Sequence, residues 1–189
     1  MGRDRSECSG FTLIELMVTI AVLAILLAVA LPSFADFFDK YRLRGAVDDV
    51  VSVISNARAE SVKADRDVNI SFGGTAPQWC VGANAAVDPA GGVATPGAIA
   101  CDCAVAAQCQ VGGQRLAVDV GKHAGVTIGG TPAAFIFDSK LGLVTPLAPQ
   151  SATFTSATGK YALRVNVNPL GQAVVCVPSG PAIAGVPTC

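Results

Sequence analysis

The feature that most constrains this chain is a long apolar run close to its N-terminus. From Phe11 to Leu31 there are 21 residues, and the only ones that are not apolar are Thr12, Glu15 and Thr19. As a helix, a run of this length spans a hydrocarbon core of about 30 Å. A helix that is apolar on every side must be buried all round. The run therefore predicts a helix that lies in lipid or is covered by other copies of itself.

A single carboxylate, Glu15, lies within this run. Inserting it into a membrane costs about 2.5–3.5 kcal/mol, so such a group usually has a partner. The run contains no Lys or Arg. Cleavage after Gly10 creates a free amine on Phe11, and we predict that Glu15 pairs with this amine in a neighbouring subunit. The alternative is a tolerated polar residue that reaches back to the lipid headgroups.

The segment Gly10-Phe-Thr-Leu-Ile-Glu15, followed by the apolar run and Pro32, resembles the N-terminus of type IV pilins and pseudopilins. This resemblance implies that a prepilin peptidase removes residues 1–10 by cutting after Gly10 and then methylates Phe11. It also implies that Glu15 docks the subunit into a helical filament.

Positive charge before the run predicts the orientation of the chain. Arg3 and Arg5 stand in the leader, and the positive-inside rule places that end in the cytoplasm. We therefore expect the chain to cross the bacterial inner membrane once, with its C-terminal domain in the periplasm. From there it joins a pilus or a pseudopilus.

Residues 36–64 predict an amphipathic continuation of the membrane-spanning half of the helix, 11–35. From Phe34 onward, apolar positions recur at three- and four-residue spacing and predict a stripe that a sheet must cover. The stripe consists of Phe34, Phe37, Phe38, Tyr41, Val47, Val50, Val51, Ile54 and Ala57. Pro32 removes a backbone donor and is predicted to kink the helix. The helix is predicted to stop near Lys63.

Alternating segments within 65–189 predict an antiparallel sheet and, with the helix, an α+β fold. Two hairpins are predicted, one pairing 68–72 with 78–81 and one pairing 161–167 with 172–177. Further strands are predicted at 115–120, 125–128, 134–137 and 152–155. An insertion at 82–114, rich in Ala, Gly and Pro, separates the two halves of this sheet.

The cysteines predict disulfides that staple the domain. Cys8 lies in the leader, and six others follow it: Cys80, Cys101, Cys103, Cys109, Cys176 and Cys189. An even number beyond a membrane span is typical of an oxidising compartment. We prefer Cys176–Cys189 as the first pair, because it pins the Pro/Gly-rich tail 178–189 to the last strand. Cys80 and the other three share two further bonds, whose pairing stays open.

The rest of the chain resembles the GspH/FimT family of minor pilins and minor pseudopilins. The matching segments are Leu43–Val62 with Asn56-Ala-Arg-Ala-Glu-Ser61, Val68–Phe72, Trp79, Phe135–Phe137 and Gly142. The resemblance implies a subunit that primes pilus assembly or sits at the pilus tip. Its implied partners are other pilin and minor pilin subunits, the prepilin peptidase and the inner-membrane assembly platform.

Two alternatives to a minor type IV pilin stay open. One is the H-type minor pseudopilin of a type II secretion system, although the Cys-rich insertion favours the pilus branch. The other is a DNA-binding competence pilin. Some family members contact DNA through a GRxR-like motif on the last strands, and the corresponding Gly171–Val174 has no arginine. DNA is therefore a disfavoured partner.

No group of residues predicts an enzyme, a metal site or a cofactor. The single histidine, His123, stands next to Lys122 and is predicted to be a surface residue, which leaves acid–base catalysis without support. Cys101 and Cys103 have CxC rather than CxxC spacing, so disulfides are favoured over zinc. The aspartates at 48, 49, 65 and 67 are read as solvated charges. A net charge of −1 gives no general attraction to nucleic acid.

Overall fold

The computed structural model describes residues 11–75, 78–86, 101–103, 105, 108–130 and 132–189 of the chain, without the side chains of 30–33, 74 and 75. The leader with Gly10 and much of the insertion at 82–114 lie outside the described residues. The chain divides into two compact units, Met1–Phe38 and Asp39–Cys189. We call the second unit the head.

One long helix, α1, runs from Leu13 to Lys63. Within the head its buried residues recur at three- and four-residue spacing: Leu43, Ala46, Val47, Val50, Val53, Ile54 and Ala57. The helix ends as the sequence predicts, because Asp65 adopts a left-handed conformation with φ 46°. The basic side chain of Lys63 in the last turn complements the negative end of the helix dipole.

The predicted stripe differs from the buried one at its beginning. Phe37, Phe38 and Tyr41 are 58%, 53% and 69% exposed, so burial starts near Leu43 rather than at Phe34. The sequence pattern shows which face of a helix is apolar, but not how far along the helix the strands reach. The kink at Pro32 stays a prediction, because its side chain lies outside the described residues.

The strands of the described residues follow α1 in chain order. They are β1 (Val68–Thr75), β2 (Gln78–Ala85), β3 (Gln110–Val111), β4 (Gln114–Arg115), β5 (Ala117–Asp119), β6 (Thr127–Gly129), β7 (Phe135–Phe137), β8 (Val144–Thr145), β9 (Gln150–Thr155), β10 (Ala162–Val167) and β11 (Ala173–Cys176). All the pairs between them are antiparallel. The α+β prediction is confirmed.

These strands form two main sheets where the sequence suggested one. One sheet has the order β5-β2-β1-β7-β8, the other β11-β10-β9-β6, and β3-β4 is a separate small hairpin. Both sheets contribute to a single hydrophobic core with the buried face of α1. Its largest fully buried side chains include Trp79, Phe135, Phe137, Phe154 and Leu163.

By length and composition, no single helix within the described residues is suited to cross a membrane, whereas Leu13–Val29 and Phe34–Lys63 taken together are.

Candidate functional site

The first turn of α1 is closed by a reciprocal pair of polar side chains. Thr12 Oγ1 accepts a hydrogen bond from the Glu15 backbone N–H at 3.3 Å. Glu15 Oε2 in turn lies 3.4 Å from the Thr12 backbone nitrogen and 3.2 Å from its hydroxyl oxygen, and accepts from both. This is a capping box, in which each side chain satisfies backbone donors that a helix start leaves open. The sequence signal of this capping box is the Thr-x-x-Glu pattern of residues 12–15.

The capping box leaves the charge of Glu15 unbalanced. Its partners in the first turn are the neutral N–H and O–H groups of Thr12. The positive end of the helix dipole offsets part of that charge. Within the described residues no ion pair includes this carboxylate. As far as the described residues go, this carboxylate can accept a cation from another subunit without breaking an ion pair.

The apolar surface next to Glu15 is uncovered. Every large apolar side chain from Phe11 to Val29 is between 51% and 83% exposed. An exposed apolar surface of this extent is a place where lipid or another protein binds. The predicted assembly residues Phe11 and Glu15 thus stand at the start of a helix segment that has no apolar cover within the described chain.

In the head, His123 is not the surface residue that the sequence predicted. Its side chain is only 13% exposed, and Nε2 lies 3.0 Å from Asp49 Oδ2 on α1. Its ring stacks on that of Trp79, with 6.5 Å between the centroids. Trp79 Nε1 donates to the Val126 carbonyl at 2.7 Å. The contact joins residues 74 positions apart, which is why a sequence pattern could not show it.

A second set of contacts holds α1 where it begins to pack into the head. The buried Asp39 carboxylate accepts a hydrogen bond from Thr158 Oγ1, in the turn between β9 and β10. Lys40 and Lys160 place their ammonium groups 4.8 Å and 5.2 Å from the ring centroid of Tyr161. Cations over an aromatic face are attracted by its negative potential. This end of the head is thus fixed by polar contacts to one turn.

Arg58 ties the far end of α1 to two turns of the head. Its Nε donates to the Gly142 carbonyl at 3.1 Å. A Cβ on Gly171 would lie 2.5 Å from that carbonyl oxygen and 2.7 Å from Arg58 Nε, so only glycine fits there. The neighbouring exposed side chains, Leu170 and Gln172 in the turn and Val174 on β11, are uncharged. Residues 170–174, which correspond to the DNA-contacting motif of other family members, therefore contribute no cation to this surface.

Two aspartates, the exposed Asp65 and the partly buried Asp67, hold the turn that follows β7. Lys140 Nζ donates to both carboxylate oxygens of Asp65, at 2.7 and 2.9 Å. This hydrogen bond lowers the pKa of Asp65 and raises the pKa of Lys140. Asp67 Oδ1 accepts from the Ser139 backbone N–H at 2.8 Å. These carboxylates are occupied in structural contacts.

Six cysteines form three disulfides in the head. The pairs are Cys80–Cys103, Cys101–Cys109 and Cys176–Cys189. The last pair closes the tail, where Val177 bridges Thr188 and Arg44 Nη1 donates to the Ala184 carbonyl at 3.0 Å. No cluster of three or more His, Cys, Asp or Glu side chains suited to a metal ion occurs in the part of the chain that the structure describes.

Comparisons with known proteins identify the family. Residues 5–31 match the model of the prokaryotic N-terminal methylation motif. Residues 46–171, more than half of the chain, match the model described as type II transport protein GspH.

Curated relatives and solved structures were also found. The type IV major fimbrial protein FimA of Dichelobacter nodosus is 31% identical over 173 residues, which cover 90% of this chain and 80% of the relative. A fimbrial protein of Pseudomonas aeruginosa is 34% identical over 59 residues, covering 31% of this chain and 38% of the relative. The structure of the Pseudomonas aeruginosa type IV minor pilin FimU aligns with a TM-score of 0.47 and 13% identity, over 76% of this chain and 92% of that one.

The two family models cover the two regions in which the sequence resembled pilins, the apolar N-terminus and the helix-and-sheet domain. The family prediction is therefore confirmed. The chain belongs to the GspH/FimT-like pilins, within the type IV pilin family.

Proposed function

We propose that this protein is a minor type IV pilin that primes pilus assembly or joins the pilus. It is processed between Gly10 and Phe11, held in the inner membrane by its N-terminal helix, and then drawn into the filament with other pilin subunits. The head stays on the periplasmic side and offers its surface to neighbouring minor subunits. The proposed role is structural and includes neither catalysis nor a cofactor.

The observation that carries this proposal is the contrast between a covered and an uncovered part of α1. From Phe11 to Val29 the large apolar side chains are at least 51% exposed, while Leu43, Val47 and Val50 in the head are fully buried. One end of the helix is covered by the sheets and the other is apolar and uncovered. This arrangement suits a subunit whose uncovered end first lies in lipid and then packs against the helices of other pilin subunits. Lipid tails and apolar side chains are similar solvents, so the transfer between them is cheap.

Glu15 sets the axial register in which the subunit packs against its neighbours in the filament. In a filament of apolar helices an unpaired carboxylate is costly, and a free amine on Phe11 of a neighbouring subunit removes that cost. Only one axial offset between two helices brings the amine and the carboxylate together. The capping box supports this role because it orients the carboxylate at the helix start while using only neutral donors.

The H-type pseudopilin of a type II secretion system is the second candidate. The description of the family model that matches residues 46–171 favours it, because it names a type II transport protein. The DNA-binding competence pilin has less support. Leu170 and Val174 are exposed beside Gly171, and the nearest arginine, Arg58, is engaged with a backbone carbonyl.

A strain that lacks this gene, compared with the same strain complemented, separates the candidates. We expect a sharp loss of sheared surface pili that complementation restores. Unchanged pili with a loss of secreted proteins would support the pseudopilin instead. Unchanged pili with a loss of DNA uptake would support the competence pilin. Quantitative mass spectrometry of the sheared fraction then checks that this subunit is much rarer than the main pilin.

A further inference from the structure

The disulfides of the head interlace along the chain. Four cysteines come in the order 80, 101, 103, 109, and the bonds join the first to the third and the second to the fourth. Neither bond joins two cysteines that are consecutive along the chain. The third disulfide, Cys176–Cys189, does join consecutive cysteines and serves as an internal contrast.

The four sulfurs of the interlaced bonds share one small cluster. Cys101, Cys103 and Cys109 are at most 6% exposed, and Cys80 packs against them with a partly accessible side chain. The sulfurs of Cys103 and Cys109, which are not bonded to each other, lie 4.0 Å apart. A competing pair of sulfurs is therefore close together even in the folded head.

A head that is exported in chain order, beginning next to the membrane-spanning helix, meets an oxidant before all four cysteines have emerged. Cys80 emerges first, and the first thiol that can join it is Cys101; Cys103 and Cys109 then form the remaining pair. The oxidant is a protein with a reactive disulfide, which becomes a dithiol for each bond that it makes. Oxidation in order of appearance thus yields Cys80–Cys101 and Cys103–Cys109, which are not the bonds of the folded head.

We infer that the head reaches its native disulfides through a partner of a defined class, a thiol–disulfide isomerase. This inference rests on the proposed function in one respect, that the head is exported to an oxidising compartment. Cys80 is the accessible member of the cluster in the folded head, and its sulfur is the one that the isomerase attacks in the proposed exchange.

The exchange balances without further oxidation. The isomerase thiolate attacks the sulfur of Cys80, which forms a mixed disulfide and releases Cys101 as a thiolate. Cys101 attacks Cys109, which forms their bond and releases Cys103. Cys103 attacks Cys80 in the mixed disulfide, which forms the last bond and returns the isomerase thiolate. Two disulfides enter and two leave, as thiol–disulfide exchange requires.

The test uses the full chain with its own leader, produced in cells that contain or lack the isomerase of that compartment. Free thiols are blocked during lysis and disulfide-linked peptides are mapped by mass spectrometry. We expect the native Cys80–Cys103 and Cys101–Cys109 peptides in the first cells and a several-fold lower yield of them in the second. The Cys176–Cys189 peptide is expected at similar yield in both.

Two double variants serve as matched controls. Cys101→Ser with Cys109→Ser leaves only consecutive pairs, as does Cys80→Ser with Cys103→Ser, so the remaining bonds are expected to form equally in both cells. Equal yields of the native wild-type bonds in both cells would overturn the inference and leave the proposed function unaffected. So would mapping of Cys80–Cys101 and Cys103–Cys109 as the bonds of the mature protein. Recovery of only free thiols would overturn the periplasmic location and the inference together.

Discussion

The two halves of helix α1 share one backbone conformation and differ in what surrounds their side chains. Between Phe11 and Val29 the large apolar residues stand exposed on all sides, from 51% at Val22 to 83% at Phe11. In the head, apolar residues such as Leu43 and Ile54 are buried at helical spacing while Asp48 and Asn56 face outward. The sequence repeats this difference, with an unbroken apolar run in the first half and a periodic stripe in the second.

This difference shows where each half finds its stability. The second half is stabilised by its own chain, because both sheets pack on its apolar face. The first half has no such cover within the described residues, so its stability depends on lipid or on other subunits. Changes in the first half are therefore expected to act on assembly, and changes in the second half on folding.

Processing is the change with the largest expected effect on the first half. Gly10→Val is expected to block cleavage, so that the chain keeps its ten-residue leader and no free amine appears on Phe11. Intact-mass measurement of the membrane fraction gives the cleavage state. Gly2→Val, a matched change within the same leader, is expected to be processed normally. Normal cleavage of Gly10→Val would contradict the assignment of the cleavage site.

Glu15→Ala is expected to leave processing intact and to lower incorporation into pili by about tenfold or more. The variant leaves the Phe11 amine of the neighbouring subunit without its partner. Tenfold corresponds to about 1.4 kcal/mol, which is below the usual cost of an unpaired charge in an apolar environment. Immunoblots of sheared pili against the membrane fraction measure the ratio.

Two controls separate pairing from capping at this site. Thr12→Ala removes the helix cap at a cost of about 1 kcal/mol but keeps the carboxylate, so a smaller loss of incorporation is expected. Glu60→Gln removes a carboxylate from the second half and is expected to have no effect on incorporation. If Thr12→Ala and Glu15→Ala lower incorporation into pili equally, capping rather than pairing explains the role of Glu15.

A pair of leucine variants compares the two halves directly. Leu43→Ala is expected to lower the free energy of unfolding of the head by about 2–5 kcal/mol, because the side chain is fully buried. Leu23 is 55% exposed, so Leu23→Ala is expected to change the free energy of unfolding by less than about 0.5 kcal/mol. Denaturant unfolding of the full chain in detergent measures both. Equal effects would mean that the two halves are not distinct in packing.

A smaller effect is expected at the contact between α1 and Trp79. His123→Ala removes the hydrogen bond to Asp49 and a stacked ring, and is expected to cost about 1–2 kcal/mol of folding stability. Lys122→Ala, at the exposed neighbour, is the matched control and is expected to be near neutral. A neutral His123→Ala would show that the contact contributes nothing.

The smallest effect is expected from the exposed pair of Asp65 and Lys140. The pKa of Asp65 is lowered in the folded head, so the stabilisation that the pair gives is present above the unfolded pKa of about 3.9 and is lost as the pH falls through the folded value. Asp65→Asn is expected to lower the melting temperature slightly at neutral pH and not at all in strong acid. A difference that persists in strong acid would assign the effect to packing.

Much of the fold was readable because burial repeats with the period of each element. The spacing of Val47, Val50 and Ile54 predicted the buried face of α1, and alternation predicted most of the strands. The division into two sheets was not readable, because alternation tells which side chains share a face and not which strands pair. The point near Leu43 at which the apolar face of α1 becomes buried was not readable either, because it depends on where the strands end.

The candidate site was readable where the signal is local. Gly10, Phe11 and Glu15 stand in one short motif, and their roles stay predictions that the processing and assembly experiments address. The Asp49–His123 contact joins residues 74 positions apart, which no sequence pattern links. The four cysteines from Cys80 to Cys109 can pair in three ways, and their spacing alone does not choose among them. The capping box of Thr12 and Glu15 is also a local signal, because its two side chains are three residues apart.

The most direct test of this account is the identity of the N-terminal peptide of this protein in sheared pili. If the uncovered half of α1 is built to pack among pilin helices, the filament fraction contains the chain beginning at N-methylated Phe11, in far smaller amount than the main subunit. If the protein is absent from that fraction and remains in membranes with its leader attached, the account is wrong.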